Sequence, residues 1–104
     1  MEKSKYIVTI NDSIPTIQLP DRVLGGSEAM EFSALTHKYL NDEAHNQIII
    51  DLERVEVMNS SGLGMLVAAY TSATKQSKKI EFINIPDKIM KLLEMTHLNE
   101  IFFK

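Results

Sequence analysis

The chain has 104 residues, of which 44% are hydrophobic and 24% are charged, and it contains no cysteine. This length fits one globular domain, so we expect a single domain over residues 1–104, and disulfides are excluded. Eleven basic and fourteen acidic residues give a net charge of −3. Neither sign is clustered, so the sequence does not predict a nucleic-acid partner.

The apolar runs of the chain are short. The longest fall well below the ~20 residues that a membrane-spanning helix needs, so a membrane protein is not expected. The apolar stretch from Tyr6 to Ile10 is also too short for the core of a signal peptide. Together with the absence of cysteine, this predicts a cytoplasmic protein.

The first third of the chain has the pattern of a hairpin followed by a helix. Residues 5–10 and 14–19 are rich in β-branched residues, and the turn-forming residues 11–13 separate them, which predicts two paired strands. Ser27 precedes apolar residues at helical spacing, so we expect it to be the N-cap of a helix that runs to about Asn41.

Strands and helices alternate in the rest of the chain. The continuous apolar run of residues 47–52 predicts a central strand covered on both faces. A second helix is expected to start at Asn59-Ser60-Ser61, with one serine as its cap. Residues 79–85 predict another strand, Pro86 the first turn of a third helix, and residues 101–103 a short final strand.

The predicted order is therefore β-β-α-β-α-β-α, with a last strand. Strands joined through helices pair mostly in parallel, whereas the opening hairpin is antiparallel. The sequence thus predicts an α/β domain with a mixed sheet of about four or five strands and three main helices.

No catalytic constellation is found. The two adjacent serines lack the glycine pattern of a nucleophile elbow, and Gly62-Leu63-Gly64 lacks the third glycine of a dinucleotide site. His97 and Glu100 have the spacing of a possible metal pair, but a surface or capping histidine is favoured. We therefore expect no enzyme activity, no cofactor and no metal.

The residues 51–64 carry the remaining local signal. A buried strand is followed by a short connector with alternating valines, and then by a helix that starts at two serines and a glycine. Capping needs only one hydroxyl and stabilises a helix by ~1 kcal/mol. A helix N-terminus also tolerates an anion, so a phosphate on Ser60 is compatible with this position.

This stretch, with Asn-Ser-Ser-Gly-Leu-Gly at its centre, resembles the signature of STAS domains, specifically of stand-alone anti-sigma factor antagonists. The element pattern agrees over nearly the whole chain. The resemblance implies a STAS-like fold and a protein that binds an anti-sigma factor, which is also a serine kinase of the histidine-kinase-like ATPase type. It further implies that this kinase phosphorylates Ser60 and thereby ends the complex, and that a serine phosphatase reverses the modification.

The resemblance assigns Ser60 as the phosphorylation site, with Ser61 as the second candidate. The residues expected to bind the partner are Asn59, Ser60, Ser61, Gly62, Leu63, Met65, Gly25 and Ser27.

Two positions depart from the family pattern. Asn59 stands where the family usually has an aspartate, and Gly25 stands in place of another acidic residue. Both changes remove negative charge near the proposed phosphate, which lowers repulsion but also removes carboxylates that a kinase could contact. An unphosphorylated STAS scaffold, serving as a docking subunit of a larger signalling or transport complex, is therefore the alternative.

Overall fold

The computed structural model describes residues 6–103 of the chain. The predicted first strand begins at Lys5, which lies outside the described residues. The observed strands are β1 (Ile7–Asn11), β2 (Ile14–Gln18), β3 (Arg22–Val23), β4 (Gln47–Asp51), β5 (Val57–Met58) and β6 (Lys79–Ile83). The helices are α1 (Ser27–Leu40), α2 (Ser60–Lys75), α3 (Asp87–Met95) and α4 (Asn99–Phe102).

The predicted mixed sheet is confirmed. Four strands pair in the order β1-β2-β4-β6, with β1 antiparallel to β2 and the other neighbours parallel. The hairpin turn needs only Asp12 and Ser13, whose φ angles of 53° and 67° are those of a two-residue turn that follows the twist of the strands. The carbonyl of Ser13 also accepts a hydrogen bond from His45 Nδ1 at 2.8 Å.

The core lies on one face of the sheet. Ile17, Ile48, Ile50 and Phe82 point to this face and are buried with Leu66 of α2. The other face holds no buried residue among those described, since Ile49 and its neighbours in the adjacent strands are partly or fully exposed. The expectation that β4 is covered on both faces is therefore wrong, because the helices pack against one side only.

Residues 101–103 do not form the predicted strand. They belong to α4 and the residue after it, and the amides of Phe102 and Phe103 donate to the carbonyls of Leu98 and Asn99. The Phe102 ring packs against Phe82 with centroids 4.5 Å apart. Burial of this aromatic ring against the sheet and the local helical hydrogen bonds outweigh the strand preference of a short apolar run.

The structure also contains a two-stranded ladder that the sequence did not predict. Strands β3 and β5 pair in parallel, with Arg22 opposite Val57 and Val23 opposite Met58. The amides of Glu56 and Val57 also donate to the carbonyl of Asp21. This ladder joins the segment before α1 to the segment before α2, and so brings the two helix starts together.

Candidate functional site

The start of α2 is capped by Asn59 and not by a serine. Asn59 Oδ1 accepts a hydrogen bond from the amide of Gly62 at 2.9 Å, and its backbone has the extended conformation of an N-cap residue. The prediction that one serine caps this helix is therefore wrong. Ser60 and Ser61 are the first two helical residues, and an N-cap lies one residue before that position.

The side chain of Asn59 also connects the start of α2 to the loop before α1. Its amide group, Nδ2, donates to the carbonyl oxygen of Leu24 at 3.2 Å. An aspartate at this position could accept from Gly62 in the same way, but an ionised carboxylate has no hydrogen to donate to Leu24. The asparagine therefore adds a contact that the usual family residue cannot make.

The four backbone amides at the start of α2 differ in whether they have a hydrogen-bond partner. The first four amides of a helix have no partner within it. Here the amide of Asn59 points to the carbonyl of Val23 at 3.4 Å, and the amide of Gly62 is bonded to the Asn59 side chain. The amides of Ser60 and Ser61 remain, and they lie at the positive end of the helix dipole.

Gly62 lies where α2 touches the backbone of β3. A Cβ atom built on Gly62 would lie 2.1 Å from the carbonyl oxygen of Val23 and 2.9 Å from Met58 Cγ. No side chain fits at this distance, so a glycine is required by the close approach of the two backbones. The contact fixes the height of the α2 start relative to the β3–β5 ladder.

The loop before α1 lies against the second serine. Gly25 has a φ of 87°, and a Cβ atom built on it would lie 2.6 Å from Ser61 Cβ. Both the left-handed backbone and the close contact favour glycine here. The structure thus brings Gly25 together with the signature residues, as the resemblance implied.

Ser27 is not the N-cap of α1. The cap is Gly26, with φ 68° and no side-chain hydrogen bond, and Ser27 is the first residue of the helix, where it is exposed. The helix therefore begins one residue earlier than predicted. Gly25 and Gly26 both have positive φ angles and complete the turn, so Ser27 already has a helical conformation.

The hydroxyl groups of Ser60 and Ser61 are both at the surface. Neither has a hydrogen-bond partner among residues 6–103. The first turn of α2 contains no acidic residue. Because the cap is already provided by Asn59, the fold does not need either hydroxyl.

Three of the other residues expected to bind a partner, all of them in α2, are internal. Gly62 is buried, and Leu63 and Met65 are only 8% and 6% exposed. These side chains anchor α2 to the core and support the surface that the serines form. They contribute little surface of their own.

A groove between α1 and α2 extends from the serines. It has a volume of about 260 Å³ and is lined by Ser61, Gly64, Ala68 and Ser72 on one side and by residues of α1 on the other. The Nε2 atom of His37 lies 3.4 Å from Ser72 Oγ at the far end. Since Gly25 meets Ser61 and His37 meets Ser72, the two helices run side by side in the same direction.

This groove was not predicted, although the sequence contains a signal for it. Gly64, Ala68 and Ser72 recur every four residues, so small side chains share one face of α2. The larger side chain of Val67, in the same helix, is exposed.

His97 and Glu100 interact with each other at the surface. His97 Nδ1 lies 2.9 Å from Glu100 Oε2, and both side chains are largely exposed. Within residues 6–103 no three His, Cys, Asp or Glu side chains are grouped so that they could hold a metal ion. In the same part of the chain no helix combines the length and apolar character needed to cross a membrane.

The fold and the site define the class of protein. The mixed four-stranded sheet of an α/β domain is the fold that the resemblance implied, and a serine pair begins α2 beside the loop of Gly25 and Gly26. Residues 6–104 match the model of the STAS domain family. The chain belongs to this family.

Curated relatives match part of the chain. It is 35% identical over 52 residues to the anti-sigma-B factor antagonist of Listeria monocytogenes, covering 50% of this chain and 46% of the relative. It is 27% identical over 62 residues to the protein of the same name from Staphylococcus aureus, covering 60% of this chain and 57% of the relative. The matched segments thus span about half the length of these relatives.

Solved structures share the fold over nearly the whole chain. An anti-sigma-factor antagonist (STAS) domain protein from Planctomyces limnophilus superimposes with a TM-score of 0.79 at 19% identity, covering 95% of this chain and 87% of that one. SpoIIAA, a Bacillus cell fate determinant, gives 0.72 in its phosphorylated form at 17% identity, covering 91% and 86%. Its unphosphorylated form gives 0.75 at 17% identity, covering 91% and 83%.

Proposed function

We propose that the protein is an anti-sigma factor antagonist that acts by partner switching in the cytoplasm. In its unphosphorylated form it binds an anti-sigma factor that is also a serine kinase of the histidine-kinase-like ATPase type. Phosphorylation of Ser60 releases this partner, and a serine phosphatase restores the binding form. The protein itself is a regulator and not an enzyme.

One observation carries the proposal. The Ser60 hydroxyl is exposed, has no partner among the described residues, and begins a helix that Asn59 already caps. A kinase can therefore reach it without unfolding the helix. Its loss or modification removes no hydrogen bond on which the fold depends.

The chemistry at this position is simple phosphoryl transfer. Ser60 Oγ attacks the γ-phosphorus of ATP, the bond from that phosphorus to the β-γ bridging oxygen breaks, and ADP leaves. The hydroxyl proton passes to a base of the kinase. The free amides of Ser60 and Ser61 lie beside the new phosphate, and the helix N-terminus stabilises negative charge there by about 0.3–2 kcal/mol.

The same charge is unfavourable in a complex. A phosphoserine carries about −1.5 to −2 charge units at neutral pH, and burying it in a contact without a matching cation costs several kcal/mol. A cost of about 3 kcal/mol lowers affinity roughly 100-fold. Release therefore needs no change of fold, which agrees with the likeness of this chain to both forms of SpoIIAA.

Binding of substituted proteins to the kinase tests the proposal. Isothermal titration is performed with the anti-sigma factor of histidine-kinase-like ATPase type from the same genome. We expect Ser60→Ala to bind as the unsubstituted protein does and Ser60→Glu to bind at least about tenfold more weakly, because only the latter brings charge into the contact. Equal affinity of both variants would contradict the charge switch.

A phosphorylation assay identifies the acceptor. Incubation with ATP and the same kinase, followed by intact mass measurement, is expected to add one phosphate to the unsubstituted protein and to Ser61→Ala. Ser60→Ala is expected to remain unmodified. If the kinase binds but adds no phosphate, the result would instead support the unphosphorylated scaffold. The neutral Asn59, in place of the usual acidic residue, favours that alternative.

A further inference from the structure

Strand β1 forms an unprotected edge of the main sheet. Among the described residues nothing pairs with its outer side. Its sequence, Ile7-Val8-Thr9-Ile10-Asn11, contains neither a charged residue nor a proline, and Ile7 and Ile10 are 47% and 53% exposed. Natural edge strands are usually protected by such residues, so an edge without them is suited to pairing.

The opposite edge of the sheet differs. Strand β6 carries Lys79 and Glu81, which are both exposed on the open face of the sheet. Charged side chains of this kind discourage the addition of another strand. The two edges therefore differ in chemistry, and only β1 has the composition of an interface.

The hairpin geometry shows which backbone groups of β1 are free. The two-residue turn makes Asn11 and Ile14 the pair that closes the hairpin, and such a closing pair exchanges both of its hydrogen bonds. Bonded and non-bonded pairs alternate along an antiparallel ladder. Hence Ile7, Thr9 and Asn11 bond to β2, whereas Val8 and Ile10 direct their N–H and C=O groups outward.

The position of Pro15 agrees with this assignment. Pro15 lies opposite Ile10, which the alternation makes a non-bonded pair. A proline has no amide hydrogen, so it fits at that position without loss of a ladder bond.

We propose that a second copy of this chain pairs with β1 in the antiparallel direction, about a two-fold axis at Thr9. Val8 of one copy then lies opposite Ile10 of the other, and the two residues exchange both of their outward hydrogen bonds. The symmetric pair does the same, and the two sheets become one continuous sheet.

The side chains are compatible with this register. Val8 and Ile10 point to the helix-covered face of the sheet, so each exposed Ile10 packs beside the Val8 of the other copy. Ile7 lies opposite Asn11 on the open face. Asp12 lies opposite Tyr6, so no two like charges face each other among the described residues.

The dimer is expected to be weak. Each backbone hydrogen bond contributes about 0.5–1.5 kcal/mol net, and one short strand buries less area than a stable interface needs. We therefore expect a concentration-dependent equilibrium in the micromolar range or above. The pairing involves neither Ser60 nor the α1–α2 groove, so it stands independently of the proposed function.

Sedimentation equilibrium and amide exchange over a concentration series test the pairing in the unsubstituted chain. We expect the mean mass to rise toward that of a dimer and the amides of Val8 and Ile10 to exchange more slowly as concentration increases. The amide of Thr9, already bonded within the hairpin, serves as the internal reference. A monomer up to the solubility limit, or a dimer without added protection at Val8 and Ile10, would overturn the proposal.

Two substitutions at Ile10 remove the pairing by different means. Ile10→Pro deletes an outward amide hydrogen while the hairpin bonds remain, and Ile10→Lys places a charge at the edge. Both are expected to weaken dimerisation at least about tenfold. Met95→Lys is the matched control, since Met95 lies in α3 and is 78% exposed, and it is expected to dimerise normally. A folded Ile10→Lys chain that dimerises as Met95→Lys does would refute the interface.

Discussion

The two helices that meet at the candidate site begin in different ways. At α2, the Asn59 side chain binds the amide of Gly62 and the carbonyl of Leu24. At α1, Gly26 occupies the cap position without any side-chain hydrogen bond. One start is defined by side-chain contacts and the other by backbone conformations that glycine allows.

This difference explains why an exposed serine can be available for modification. A serine that caps a helix is engaged with the backbone, and modifying its oxygen removes the cap. In α2 the cap is Asn59, so the hydroxyl of Ser60 does not take part in capping. In α1 the cap is Gly26, which has no side chain, and Ser27 is likewise exposed.

The largest expected effect comes from the close contact below α2. We expect Gly62→Ala to lower the free energy of unfolding by about 3 kcal/mol, because its Cβ would collide with the Val23 carbonyl and overpacking costs are of this size. Gly64→Ala is the control. A Cβ on Gly64 meets nothing within 4 Å, so alanine should raise stability by about 0.5–1 kcal/mol.

Urea unfolding followed by circular dichroism measures both variants. The contrast in sign between two glycines in the same helix turn is the decisive result. If both alanine variants changed stability equally, the backbone contact between α2 and β3 would not be the reason that residue 62 is glycine.

The side-chain cap is the next feature to test. We expect Asn59→Ala to cost about 1–2 kcal/mol, since it removes an N-cap and the bridge to Leu24. Asn59→Asp keeps the cap and adds a favourable charge at the helix start of about 0.3–1 kcal/mol, but it loses the bridge. We therefore expect Asn59→Asp to be less destabilised than Asn59→Ala in the same urea measurement. Asn59→Asp unfolding as readily as Asn59→Ala would show that the bridge, not the cap, holds the loop.

The smallest effects are expected at the serines. Ser27→Ala and Ser60→Ala should each change the free energy of unfolding by less than about 0.5 kcal/mol, as exposed positions without specific contacts do. Thermal unfolding at several denaturant concentrations gives the values. A loss near 1 kcal/mol for either variant would indicate that its hydroxyl caps a helix in solution, contrary to the structure.

Much of the fold follows from patterns in the sequence. The hairpin is marked by residues 11–13 between two β-branched stretches, and the parallel strand at residues 47–51 has the continuous apolar run 48–50 at its centre. The β3–β5 ladder could not be predicted in this way, because strands of two residues are too short to show any periodicity. For the short helix α4 the sequence predicts a strand, because a short apolar run satisfies either pattern.

The site was predicted in position but not in detail. The signature directed attention to residues 59–64, and the structure places Gly25 beside them as expected. The identity of the cap could not be decided from sequence, because Asn59, Ser60 and Ser61 are all residue types that cap helices well. The bridge from Asn59 to Leu24 joins positions far apart in sequence, and no local pattern contains that information.

The short β3–β5 ladder has a consequence for how the protein is recognised. Gly25 and Leu24 are far from Ser60 along the chain, and the pairing of Arg22–Val23 with Val57–Met58 and the bond from Asn59 to Leu24 bring them to the serines. An unfolded chain, or a peptide of the signature alone, would present the Ser60 hydroxyl without this surrounding surface. A regulator that reads the whole surface would thereby act on correctly folded molecules and ignore nascent or damaged ones.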